Sequence, residues 1–137
     1  MDEQPNIRRI LEDCRIIAVV GISDDPSRAS HYVSQYMQRQ GYRIIPVNPK
    51  HDTVLGEKCY PDLRSVPDKV DLVNVFRRPA DCLRPAQDAV AIGARALWLQ
   101  LGIANREARQ VAEDAGLLVV MDHCIMVEHR KFSTNTK

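Results

Sequence analysis

Apolar residues in this chain fall into short continuous runs, separated by segments whose apolar positions recur with a helical period. The runs are Ile16–Val20, Tyr42–Val47, Val70–Phe76, Ala96–Leu101 and Leu117–Met121. Each is rich in Val, Ile and Leu and too short for a helix, which predicts five β-strands. Between the first two, Tyr32, Val33, Tyr36 and Met37 form one helical stripe. Ser27 or Ser30 suits its N-cap and Gly41 its stop. Ala80–Ile92 and Asn105–Ala115 read the same way and are followed by Gly93 and Gly116; Pro85 is tolerable only in a first helical turn. Ile7, Ile10 and Leu11 predict a short helix within residues 1–14. His51–Pro67, with Gly56, Pro61 and Pro67, predicts a long, partly ordered loop with at most a turn or two of helix. Ser133–Lys137 reads as a loose tail.

Strand and helix thus alternate, and the strands are apolar nearly throughout rather than at every second residue. A strand of that kind is buried on both faces, as in a parallel sheet wound by right-handed crossovers. The expected fold is α/β: a three-layer, Rossmann-like, doubly wound parallel sheet of five strands in the order 3-2-1-4-5. All 137 residues are expected to form one domain, since the sequence holds no repeat, low-complexity tract or linker.

In such a sheet ligands lie beyond the carboxyl ends of the strands, beside the first strand where the winding reverses. The first strand ends in Gly21-Ile22-Ser23 and leads through Asp24-Asp25-Pro26-Ser27-Arg28 into the first crossover helix. That unit brings backbone N–H groups and the positive end of a helix dipole to the rim, where phosphates bind. The same rim receives Asn48, Pro49 and Lys50; Arg77, Arg78 and Pro79; Gln100 and Gly102; and Asp122, His123 and Cys124. Hydroxyl, amide and basic groups dominate it, so a phosphorylated nucleotide is the expected ligand.

The ligand class can be narrowed. The G-x-G-x-x-G fingerprint of dinucleotide folds is absent: Ser23 and Pro26 stand where the second and third glycines belong. The second strand ends in Asn48 and Lys50, with no carboxylate to accept hydrogen bonds from both ribose hydroxyls of NAD. A lysine there suits a phosphate on the ribose. NAD is disfavoured on this ground and NADP stays open.

Composition removes other classes. With 19 basic and 18 acidic side chains the net charge is +1, too little to attract a polyanion, so no nucleic-acid partner is expected. Cys14, Cys59, Cys82 and Cys124 form no C-x-x-C pair, and His31, His51 and His129 have no ligand spacing with them; reduced thiols and no metal site are expected. The polar, acidic start and the lack of any apolar run of ~20 residues predict a soluble, cytoplasmic protein without a membrane.

Several blocks together resemble the small, stand-alone CoA-binding proteins related to the CoA-binding domain of the succinyl-CoA synthetase alpha subunit. They are Val20-Gly21-Ile22-Ser23, Arg28 with Ser30, Gly41-Tyr42-Arg43 leading to Pro46-Val47-Asn48-Pro49, Leu55-Gly56 with Tyr60-Pro61, Val70–Val73 leading to Phe76-Arg77-Arg78-Pro79, Leu97–Gly102, and Met121-Asp122 leading to Cys124-Ile125-Met126. The resemblance runs from about Arg15 to Phe132. It implies coenzyme A, or an acyl-CoA, as the ligand. By position, Gly21, Ile22 and Ser23 with the following helix would hold the pyrophosphate, with Arg28 and Ser30 nearby. Lys50, after Asn48 and Pro49, would meet the ribose 3′-phosphate; Phe76, Arg77 and Pro79 would lie along the adenine or pantetheine side; Gln100 would close the far wall. His123 departs from the basic residue, most often arginine, that the family carries between the aspartate and cysteine of the last block.

The resemblance implies a binding module without catalysis of its own. An NADP-binding oxidoreductase or an acyl-CoA ligase-like enzyme component is the alternative, and a protein partner informed of CoA status is a third class. No catalytic residue is assigned: His123 suits a hydrogen-bonded supporting role better than a catalytic one, and Trp98 suits core or interface better than ring stacking.

Overall fold

The computed structural model describes residues 2–135. Its five main strands are β1 (Ile16–Val20), β2 (Arg43–Val47), β5 (Leu72–Val75), β6 (Ala96–Leu99) and β7 (Leu118–Val120), all parallel, and a two-stranded hairpin pairs β3 (Thr53–Val54) with β4 (Glu57–Lys58). The expected α/β class and parallel sheet are present. Alternate side chains feed two cores. Ile17, Val19, Leu72 and Trp98 pack on one face, against α1 (Gln4–Asp13), α2 (Ala29–Arg39) and α5 (Ile125–Asn135). Ala18, Val20, Val73 and Leu97 pack on the other, against α3 (Leu83–Ala91) and α4 (Arg106–Asp114). Among the described residues no helix is long and apolar enough to cross a membrane.

The strand order differs from the expected 3-2-1-4-5. It is β2-β1-β5-β6-β7, so the third long strand, β5, lies on the inner side of β1 instead of outside β2. The outer position is taken by a single residue. Tyr60 bridges in parallel to Val47, its N–H donating to the Pro46 carbonyl at 3.0 Å and its carbonyl accepting from Asn48 N–H at 2.8 Å. Pro46 directs its carbonyl outward but has no N–H to follow it, and Pro61 ends the passing segment, so the pairing stops at one bridge. The winding still reverses beside β1, now between β1 and β5.

Three local expectations are also revised. Neither Ser27 nor Ser30 caps α2: Arg28 precedes it in extended conformation with no side-chain cap, Ser27 folds onto Asp25, and Ser30 lies inside the first turn. The loop after β2 contains the β3–β4 hairpin, turned by Leu55 and Gly56 at positive φ, and a 3-10 turn over Leu63–Ser65. The chain is helical through Asn135, past the Ser133 at which a loose tail is expected; residues 136–137 lie outside the described ones. Pro85 falls in the first turn of α3, as the pattern requires.

Helix α5 docks through a buried imidazole. His129 is 7% exposed, its Nδ1 is 2.8 Å from the Tyr36 hydroxyl of α2, and its ring meets Tyr42 and Phe132. Burial, and after it the Arg15 guanidinium, lowers its pKa from the ordinary 6.5. Because the folded pKa is the depressed one, the unfolded chain takes up the proton first. The contribution is complete above about pH 6.5 and is lost as pH falls through the lower folded value. Thermal unfolding between pH 7.5 and 5.5 is expected to show a falling midpoint in the native chain and a flatter profile in His129→Gln. Equal slopes in both would contradict this role.

Candidate functional site

The carboxyl edge beside β1 is built around Gly21. Its φ is +85°, and a β-carbon there would come within 2.3 Å of the Phe76 carbonyl oxygen. Only glycine permits the β1–α2 turn to cross the end of β5 this closely. The turn is tied to β2: Gly21 N–H donates to the Val47 carbonyl at 2.9 Å, and the Asn48 side-chain amide donates to the Ile22 carbonyl at 2.9 Å. Asn48 also accepts from Lys50 N–H at 3.0 Å through its side-chain oxygen. One residue thus fixes both loops that wall the site.

Between these loops lies a cavity of about 560 Å³, lined by Gly21, Ser23, Arg28, Ala29, Ser30, Asn48, Lys50, His51, Phe76 and Arg78. The first turn of α2 forms one wall. With no capping side chain on this helix, its leading amides are left for a ligand. The Ser30 hydroxyl turns away from them, accepting from Ser23 N–H at 2.9 Å and so holding the turn against the helix. Arg28, Lys50 and Arg78 bring positive charge to the rim. Among the described residues Arg28 and Lys50 make no ion pair within 4.0 Å, whereas Arg78 is engaged by Asp81 at 2.9 Å. The arrangement offers amides, a helix dipole and cations to an anion.

A second cavity of about 590 Å³ opens on the other face of the sheet edge. Val20, Val47, Leu63, Leu83 and Pro85 give it an apolar floor, and Arg77, Arg84, Asp62, Asp81 and Asp88 give it a charged rim. Asp88, nearly buried, accepts from Arg64 at 2.8 Å and Arg84 at 3.1 Å. Cys82, lying beneath Arg78, donates to that residue's carbonyl, and burial pushes its thiol up to about 11. Burial likewise raises Cys59, which donates to the Asn48 carbonyl. Neither thiol beside the two cavities is an activated nucleophile.

The residues predicted from sequence divide accordingly. Gly21, Ser23, Arg28, Ser30, Asn48, Lys50 and Phe76 meet around the first cavity, and Arg77 turns into the second. Ile22 is fully buried and contributes only its backbone. Pro49 is the exposed corner between Asn48 and Lys50. Pro79 opens a 3-10 turn, and its carbonyl accepts from Asn105. Gln100 is withdrawn into the core, donating to Asn74 and accepting from Ile125 N–H. Ala29 and His51 complete the first cavity without having been singled out, and Arg78, expected on the rim but given no ligand contact, joins them. Arg78 is adjacent to Arg77 on the predicted rim, and in strand-to-loop geometry neighbouring residues point to opposite faces. His51 follows Lys50 directly, which is the signal that would have found it.

His123 lines neither of these cavities. Its ring lies 3.6 Å from Glu3 and 3.6 Å from Glu128, Arg109 pairs with Glu3, and its carbonyl accepts from Trp98 Nε1 at 2.8 Å. Trp98 itself is fully buried in the core. Among the described residues no group of three His, Cys, Asp or Glu side chains is placed to hold a metal ion.

Comparison with known proteins agrees with this architecture. YneT, an uncharacterized protein of Bacillus subtilis, is 45% identical over 123 residues, covering 90% of this chain and 91% of its own length. A hypothetical protein from Pyrococcus horikoshii OT3 superposes with a TM-score of 0.91 at 39% identity, covering 95% of this chain and 92% of that one. The ADP-forming acetate–CoA ligase I of Archaeoglobus fulgidus is 24% identical over 131 residues; the match takes in 88% of this chain but only 19% of the ligase. Residues 15–130 match the model of a CoA binding domain. This chain belongs to the CoA binding domain family.

Proposed function

We propose that this protein binds coenzyme A or an acyl-CoA at the carboxyl edge of its sheet and acts as a binding module. The observation that carries the reading is the uncapped amino end of α2, which opens with Gly21 and Ser23 onto a cavity rimmed by Arg28 and Lys50. A diphosphate there would accept from the leading amides of α2 and gain from its dipole. The ribose would lie at the end of β2. Lys50 would then meet the 3′-phosphate as a mobile point charge. The apolar floor of the second cavity, with Arg77 at its rim, suits the adenine or pantetheine portion. Membership of a CoA binding domain family supports the ligand class.

Isothermal titration with CoA, dephospho-CoA and NAD tests this reading. CoA is expected to bind more tightly than the other two. Lys50→Ala is expected to weaken CoA by about 1–3 kcal/mol, a charge-assisted hydrogen bond to phosphate, and to leave dephospho-CoA nearly unchanged. Equal affinity for CoA and dephospho-CoA would remove the 3′-phosphate role. Binding of NAD but not CoA would overturn the ligand class.

A further inference from the structure

The turn between β1 and α2 places two carboxylates, Asp24 and Asp25, next to a site built for anions. Asp25 is engaged within its own loop: its Oδ1 accepts from the Ser27 N–H at 3.0 Å and from the Ser27 hydroxyl at 2.8 Å. Asp24 instead reaches across to the other wall, where its Oδ2 lies 3.6 Å from His51 Nδ1. His51 lines the cavity directly after Lys50, and its backbone is held by the Asn48 carbonyl at 3.4 Å. The imidazole therefore faces a carboxylate and the cavity together.

We propose that His51 is a phosphate-binding residue held in reserve by Asp24, and that this pair selects ligands carrying a phosphomonoester on the ribose. The inference rests on the CoA reading above and assigns a specificity role to residues outside that reading. The contact is loose and wet: 3.6 Å long, with side-chain exposures of 21% for His51 and 66% for Asp24. Pairs of this kind contribute little and exchange partners readily. A phosphomonoester brings up to two negative charges to the corner shared by Lys50 and His51 and outcompetes a single carboxylate for the imidazole. Asp24 then turns to solvent. A ligand with a bare hydroxyl at the same place has no charge with which to displace Asp24. The carboxylate stays beside His51 at the cavity's edge and its field opposes the rest of the anionic ligand. Asp24 thus lowers the affinity of every ligand, and the one with the extra phosphate recovers it through His51.

The test is calorimetric titration of the full chain, as native protein, Asp24→Asn, His51→Gln and the double variant, each with CoA and dephospho-CoA. Both positions lie at the surface of the site, so the fold is expected to persist, which circular dichroism checks. His51→Gln is expected to weaken CoA by about 10-fold, the loss of one charge-assisted hydrogen bond, and dephospho-CoA by less than about 2-fold. Asp24→Asn is expected to tighten CoA by about 2–5-fold in the native background, the scale of one exposed ion pair, with a smaller gain in the His51→Gln background. If His51→Gln weakens both ligands alike or neither, or if Asp24→Asn acts equally in both backgrounds, the pair has no selective role. A native chain that binds CoA while all variants match it overturns this inference alone; a native chain that binds no CoA overturns the ligand reading and this inference with it.

Discussion

Gly21→Ala is expected to abolish CoA binding and to destabilise the protein by about 2–5 kcal/mol, combining a left-handed backbone forced on a residue with a β-carbon and an overpacked contact. The clash is with backbone, the Phe76 carbonyl oxygen at 2.3 Å, so no side-chain rotamer relieves it. Relief requires β1 and β5 to separate at their carboxyl ends, or the turn to lift away from Val47 and lose the 2.9 Å bond from Gly21 N–H. Either movement displaces Ser23 and the start of α2, and with them the amides proposed to hold the diphosphate. Urea unfolding and titration with CoA read the two effects separately. A variant that kept native stability and native affinity would show that the turn does not bear on the site.

Trp98→Ala is expected to cost about 3–5 kcal/mol, the range for emptying a fully buried aromatic position. The indole is 0% exposed at the centre of β6, in the core shared with α1, α2 and α5. It also fixes the loop after β7, since its Nε1 donates to the His123 carbonyl at 2.8 Å. Trp98→Phe keeps most of the volume but leaves the partly buried His123 carbonyl without its donor, and is expected to cost about 1–3 kcal/mol. Chemical denaturation separates the variants: alanine well below phenylalanine, and phenylalanine below the native chain. A Trp98→Phe protein as stable as the native one would show that the bond to His123 contributes nothing.

The central architecture was legible because burial on both faces of a parallel sheet writes continuous apolar runs. All five main strands fall within the predicted runs, and the Gly21 turn falls where the first run meets helix-forming sequence. Strand order is a different matter. Apolar runs carry no label for their neighbours, and the choice between β2 and β1 as the partner of β5 was made by the segment 59–61, where Tyr60 occupies the outer edge and proline stops it from growing. Helix α5 was hidden because its stripe includes Glu128 and His129 at buried positions. Those polar residues are accommodated by contacts that a periodic stripe does not report, His123 and Lys131 close by in sequence for the carboxylate and Tyr36 of the distant α2 for the imidazole.

The site shows the same division. Glycine, hydroxyl and amide residues at strand ends marked the rim, and most of them converge on one cavity. Which of two adjacent arginines faces it could not be read, because a one-residue shift reverses the face and the end of β5 is not fixed by periodicity. Gln100 reads as a rim residue by its place at the end of β6, yet Asn74 on β5 offers it a buried polar partner and draws it inward. The pair Asp24–His51 joins two loops that only the folded sheet brings together.

The most direct measurement is the ¹H–¹⁵N correlation spectrum of the labelled protein titrated with CoA. The amides of Gly21, Ser23, Ala29 and Ser30 are expected to shift most, together with those of Lys50 and His51, while amides at the opposite, amino-terminal edge of the sheet stay still. Saturable binding of CoA that leaves the amides at the start of α2 unmoved, or a spectrum unaltered by CoA, would contradict the account.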